Sequence, residues 1–99
     1  MNTKKILYSM LKEIKEGNEV NYESYDITQE EFGCVIEEAL ERNYIKNALV
    51  IRNGIGHKVY AASVRNARIT LDGEEYLEKN SLLAKGYRGL KEIRDWLPL

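Results

Sequence analysis

The stretch ITQEEFGCVIEEALERNYI, from Ile27 to Ile45, decides the fold. Thr28 stands where a helix N-cap is wanted, with a hydroxyl that can accept from a free amide one turn on, and Glu31 completes a capping box. Ile27 before the cap and Phe32 at the fourth helical position form the pair of a hydrophobic staple. Phe32, Val35, Ile36, Ala39 and Leu40 then recur at helical spacing, so one stripe is apolar. The helix is expected over Gln29 to Arg42 or Asn43, and Tyr44-Ile45 opens a β-rich segment with almost no loop between. A helix that feeds directly into a hairpin is how a winged-helix domain is built.

Working outward from that helix, the preceding residues supply the rest of a helix-turn-helix. Ile6, Leu7, Met10, Leu11 and Ile14 fall on one face of a first helix from about Thr3 to Glu16. Gly17-Asn18 is its expected stop, because glycine tolerates the left-handed conformation there. Val20, Tyr22 and Tyr25 are the anchors of a polar link, with a short helical turn around Tyr22–Asp26 in the place of a second helix.

Downstream, Tyr44 to Arg52 reads as a strand with Ile45, Leu49 and Ile51 in phase. Asn53-Gly54 is a strong turn dipeptide, and His57 to Ala61 returns with Val59 and Ala61 on one side and Tyr60 on the other. Ala62 to Asn66 reads as the loop to a closing strand at Ala67–Thr70, since three strands are more stable than a lone hairpin. Thr70 or Asp72 caps a fourth helix that buries Tyr76 and Leu77. Ser81 caps a fifth helix running to about Leu97, with Leu83, Tyr87, Leu90, Ile93 and Leu97 as its stripe, Trp96 beside it, and Pro98 as the stop. The expected architecture is α+β: one winged helix-turn-helix domain over residues 1–99, with a three-helix core and hairpin wing in 1–70 and additional C-terminal helices in 71–99.

Composition narrows the function classes. Of the 99 residues 43% are hydrophobic and 31% charged, as in ordinary globular domains. No apolar run approaches the roughly 20 residues that span a bilayer, so no membrane partner is expected. Met1-Asn2-Thr3-Lys4-Lys5 leads into an amphipathic pattern rather than an apolar signal segment. Cys34 is the only cysteine, which excludes an internal disulfide and suits a reducing cytoplasm.

The net charge of −1 conceals a polarised chain. From Glu13 to Ile45 there are ten acids against Lys15 and Arg42, whereas Lys46 to Leu71 has no acid and carries Lys46, Arg52, Lys58, Arg65 and Arg68. These five, with His57, are the candidate contacts to a double-stranded DNA backbone. Their plain alternative is pairing with acids of the Ile27–Ile45 helix, or keeping an edge strand in solution. That helix itself presents Gln29, Glu30, Glu37, Glu38 and Glu41, which oppose insertion into the major groove. Glu37, Glu38 and Glu41 are instead candidates for docking a protein partner, or simply a solvated face. Leu83, Tyr87 and Leu90 are either core against the first helix or a homodimer contact.

Enzyme chemistry finds little footing. One histidine and one cysteine cannot assemble a usual zinc site, so neither catalytic nor metal-ligating residues nor a cofactor are expected. Cys34 reads as a half-buried small residue beside the apolar stripe, and His57 as an exposed turn residue. Gly54-Ile55-Gly56 leads into a strand and lacks the helix that would aim amides at a phosphate. The seven tyrosines are scattered over every element, without the paired-strand platform on which single-strand binders stack bases.

One family resemblance emerges from particular residues. The run from Ile69 to Asn80 (ITLDGEEYLEKN), then Lys85-Gly86-Tyr87 and Lys91-Glu92-Ile93-Arg94-Asp95-Trp96, resembles the C-terminal half of the YjcQ-like family of small bacterial and prophage-encoded proteins. Leu11-Lys12-Glu13-Ile14, Glu16-Gly17-Asn18 and the Ile27-Thr28 to Phe32 helix start are similar to its N-terminal half. The resemblance covers nearly the whole chain and implies a winged-helix fold; it implies no activity and no catalytic site.

Overall fold

The computed structural model describes residues 2–87, 89 and 90. Helix α1 (Thr3–Lys15) leads through a 3-10 turn at Tyr22–Tyr25 to helix α2 (Gln29–Glu41). Four short strands follow, β1 (Ile45–Lys46), β2 (Leu49–Arg52), β3 (Val59–Ser63) and β4 (Arg68–Ile69), and then helices α3 (Leu71–Lys79) and α4 (Ser81–Gly86). Among the described residues the chain is therefore α+β, with four α-helices and two antiparallel ladders, compatible with the expected arrangement.

Each helix begins where its capping chemistry allows. Asn2 caps α1 by accepting from the Lys5 amide, and Gly17 takes φ +80 just beyond its end. Thr28 and Glu31 form the reciprocal capping box on α2, each side chain accepting from the other's amide at 3.0 Å. Thr70, not Asp72, caps α3 by accepting from the Gly73 amide at 3.0 Å. Ser81 does not cap α4. Asn80 holds that position, and its side-chain amide donates back to the Tyr76 carbonyl instead.

The core lies between α1 and α2. Ile6, Met10, Leu11, Phe32 and Ile36 are essentially sealed from solvent, each contributing about 1.5–3 kcal/mol of burial. Val20 and Tyr25 close one end of it, and Ile27 packs against it from before the α2 cap.

The sheet departs from the expected pattern in three ways. β4 pairs with β1 (Ile45 opposite Ile69), not with the hairpin, so there are two two-stranded ladders. Asn47 adopts φ +64 between β1 and β2, and this left-handed step breaks the alternation. Ile45 is buried, but Leu49 and Ile51 face solvent while Val50 packs against the core. The ladder of β2 and β3 also slips between Ile51 and Arg52, so Val59 lies beside Arg52 and Ala61 beside Ile51, on opposite faces.

The C-terminal helix is also shorter than its periodicity suggests. α4 ends at Gly86, and Tyr87 is extended (φ −86, ψ 118). Ile93, Trp96 and Leu97 lie outside the described residues. No helix among the described residues is long and apolar enough to cross a membrane.

Candidate nucleic-acid interface

The β2–β3 hairpin sits directly on α2 because a glycine permits it. A Cβ on Gly33 would lie 2.7 Å from a Val59 methyl, so only glycine allows β3 this close. The Val59 amide then donates to Glu30 at 2.6 Å, fastening the returning strand to the first turn of the helix.

Arg52 is the hub of this contact. Its guanidinium makes a two-pronged pair with Glu37, with Nε to Oε2 at 2.9 Å, and reaches Glu30 at 3.3 Å. It also donates to the His57 carbonyl across the turn and to Cys34 Sγ at 3.8 Å. Of the two sequence readings of Arg52, the structure displays pairing with α2 acids. Cys34 is exposed rather than half-buried, on the side of α2 from which Glu30 and Glu37 reach the hairpin.

The hydrogen bonds from Arg52 hold the Glu37 carboxyl below its ordinary value of 4.5 and raise the Arg52 value. A carboxylate with a lowered folded pKa stabilises the fold above its unfolded pKa, and that contribution is lost as pH falls through the lower folded value. Hairpin amide exchange is therefore expected to quicken in acid below about pH 4.5 relative to the α1–α2 core. Glu37→Gln should show the quickened exchange already at neutral pH and a flatter acid dependence. Unchanged hairpin protection in that variant would remove Arg52–Glu37 as the fastening.

The other basic candidates are exposed: Lys46, His57, Lys58, Arg65 and Arg68. Lys46 and Arg68 are directly opposite on β1 and β4, so the ladder brings two cations together at the hairpin's base. Arg65 lies in the turn beyond β3, and His57 and Lys58 lie at the opposite end, across the five residues of β3, about 16 Å of strand. The candidates thus form two groups, with Arg52 withdrawn between them.

The acidic candidates divide as well. Glu37 is turned into the hairpin, Glu38 is ion-paired with Arg42 at 2.5 Å one turn on, and Glu41 is exposed. Leu83, Tyr87 and Leu90 pack, half-buried, against the chain's own core. The Tyr87 hydroxyl reaches inward to Glu13 and lies 3.0 Å from Ser9. Neither Ser9 nor Glu13 stood out in the sequence, although both fall on the buried side of α1.

Comparison with known proteins places this sequence in a family. A family model described as YjcQ protein matches residues 4–96. The chain belongs to the YjcQ family. It is 31% identical over 104 residues to the Bacillus subtilis (strain 168) protein described as "Uncharacterized protein YjcQ", covering 98% of this chain and 99% of that one. No solved structure gives a significant match.

One open cavity of about 420 Å³ in this YjcQ-family chain lies between α1, α2 and α3, walled by Leu7, Val35, Tyr44 and Tyr76 with Lys4 and Arg42 at its rim. Among the described residues no three His, Cys, Asp or Glu side chains converge as metal ligands.

Proposed function

We propose that this YjcQ-family chain is a non-enzymatic winged helix-turn-helix protein of prophage type. In this reading it associates with double-stranded DNA through its hairpin wing, as an accessory or transcriptional regulatory protein. The observation that carries the reading is the exposure of Lys46, Lys58, Arg65 and Arg68 on a segment without acids, while Arg52 neutralises the nearest carboxylates of α2. Phosphates approaching the wing meet cations from both ends of the hairpin. Phosphates approaching α2 meet Glu38 and Glu41, so groove insertion by that helix is unfavourable.

A protein-interaction module that has lost DNA binding and uses acidic α2 as its contact face is the competing reading. The exposed Glu41 favours it. The engagement of Glu37 and Glu38 within the chain weighs against it, as the inward bonds of Tyr87 weigh against a homodimer built on Leu83, Tyr87 and Leu90.

Fluorescence anisotropy of a labelled random duplex, repeated across salt concentrations, tests the reading. Four available cations set a log–log salt slope of about −3 to −4, and Lys58→Glu should reduce its magnitude by about one. Arg52 is unsuitable for this test because its loss would disturb the hairpin itself. Absence of duplex binding at low salt would remove wing-led association with double-stranded DNA. A protein partner lost in Glu41→Lys but kept in Lys58→Glu, with no duplex bound by either variant, would move the contact to α2.

A further inference from the structure

We infer that the outer face of the β2–β3 hairpin seats unpaired nucleobases, so that the wing favours a single-stranded stretch of DNA over an intact duplex. This inference rests on the DNA reading above and narrows its ligand. The face is built by the two irregularities of the sheet. The left-handed step at Asn47 turns Leu49 and Ile51 outward, and the slip in the ladder sets Tyr60 and Ala61 together against Ile51. Leu49, Ile51 and Tyr60 are 50%, 42% and 72% exposed, on the side of the hairpin away from α2. Three neighbouring apolar side chains on one exposed face give a ligand something apolar to cover.

The surrounding charge selects the occupant. Exposed Lys46 and Arg68 sit at the base of the hairpin and exposed Lys58 at its tip end, and the segment from Lys46 to Leu71 has no acid. A second copy packed face to face would oppose like charges with nothing to offset them, which disfavours a symmetric dimer here. An intact duplex offers phosphates to the cations but keeps its base faces stacked, so Leu49, Ile51 and Tyr60 would gain little from it. An unpaired stretch offers both: phosphates to the cations at either end, and flat apolar base faces to Tyr60 and its two aliphatic neighbours. Base stacking on one aromatic side chain changes affinity by about tenfold or more. Among the tyrosines, Tyr60 departs from the scattered pattern read in the sequence, because the hairpin sets it beside Ile51 on an exposed face.

The test compares an oligothymidylate of about 15 nucleotides with a duplex of the same length at matched salt, by anisotropy, for the full chain and its Tyr60→Ala variant. Tyr60 is exposed, and an unchanged melting temperature would establish that the variant is folded. The expected result is single-strand binding about tenfold tighter than duplex binding, with Tyr60→Ala erasing most of that margin and leaving the duplex unaffected. Equal or tighter duplex binding, unmoved by Tyr60→Ala, would overturn the inference and leave wing-to-duplex contact standing. Failure of both nucleic acids to bind at low salt would overturn the DNA reading and the inference with it. Binding of an acidic, leucine-containing peptide that Tyr60→Ala abolishes, with no oligonucleotide bound, would assign the face to a protein and overturn the inference.

Discussion

Gly73→Ala is expected to destabilise the protein by about 2–4 kcal/mol, although alanine is ordinarily the better helix former by about 1 kcal/mol. The reason is a backbone contact. A Cβ at residue 73 would stand 2.2 Å from the Tyr44 carbonyl oxygen and 2.7 Å from Ile69 Cγ1. The carbonyl cannot swing aside, because it accepts the Thr70 amide at 3.0 Å. Thr70 Oγ also donates to the Asn43 carbonyl, and the Asn43 side chain donates to Asp72 at 2.9 Å. These bonds staple the start of α3 to the corner where α2 turns into β1. The tilted rings of Tyr44 and Tyr76, with centroids 4.7 Å apart, continue the contact one turn further. Relief of the clash requires α3 to withdraw, breaking several of these bonds together. For a domain of this size the loss corresponds to a fall in melting temperature of roughly 10–25 °C, read by thermal or urea unfolding. Gly54→Ala is the control: no atom lies within 4 Å of a Cβ there, so a change within about 0.5 kcal/mol is expected. If the two variants unfold alike, α3 does not dock on Tyr44 as described.

The staple also marks the boundary of what the sequence made legible. The Thr28–Glu31 capping box and the apolar stripe of α2 are local signals, written within a few residues, and the structure carries them as read, with Ile27 packed against the core. The α1 stripe and its stop at Gly17 were legible for the same reason. The phase of β2 was not. A left-handed Asn47 costs little in isolation and leaves no mark in the alternation of apolar residues, yet it reverses which side of the strand is buried. The slip beside Tyr60 likewise depends on the partner strand, so single-strand periodicity could not place Val59 and Ala61 on opposite faces. The candidate interface was half legible. The charge asymmetry announced the basic hairpin, but that Arg52 would be drawn down to Glu37 while its neighbours stay exposed depends on Gly33 letting the hairpin settle on α2. Its apolar outer face follows from the two irregularities and was hidden with them.

Tyr87→Phe is expected to cost about 1–3 kcal/mol, more than a surface tyrosine would, because it removes a donor from a buried polar cluster. Glu13 on α1 is almost fully buried and accepts from the Asn18 side chain at 3.0 Å and from the Tyr87 hydroxyl. Ser9, one turn earlier, lies 2.9 Å from the Tyr25 hydroxyl and 3.0 Å from that of Tyr87. The cluster ties the segment after α4 and the 3-10 turn to the same face of α1, and among the described residues no buried side-chain nitrogen or oxygen lacks a partner. Removing the Tyr87 hydroxyl leaves a buried carboxylate oxygen short of a donor, whereas changing Ser9 to Ala removes a weaker link. The two changes should couple by about 0.5–3 kcal/mol in a double-mutant cycle, since they share Tyr87. Burial, ahead of the bond to Glu13, pushes the Tyr87 hydroxyl above its ordinary value of 10.0, and burial does the same to Tyr25. A group with a raised folded pKa contributes stability that is full below the unfolded value and is lost as pH rises through the folded one. Stability should therefore decline above about pH 10, with these two tyrosinates appearing at 295 nm only as the chain opens, and Tyr87→Phe should shallow that alkaline slope. A Tyr87→Phe protein with the stability and alkaline slope of the parent would place the Tyr87 hydroxyl in solvent, and α4 would then be free of α1.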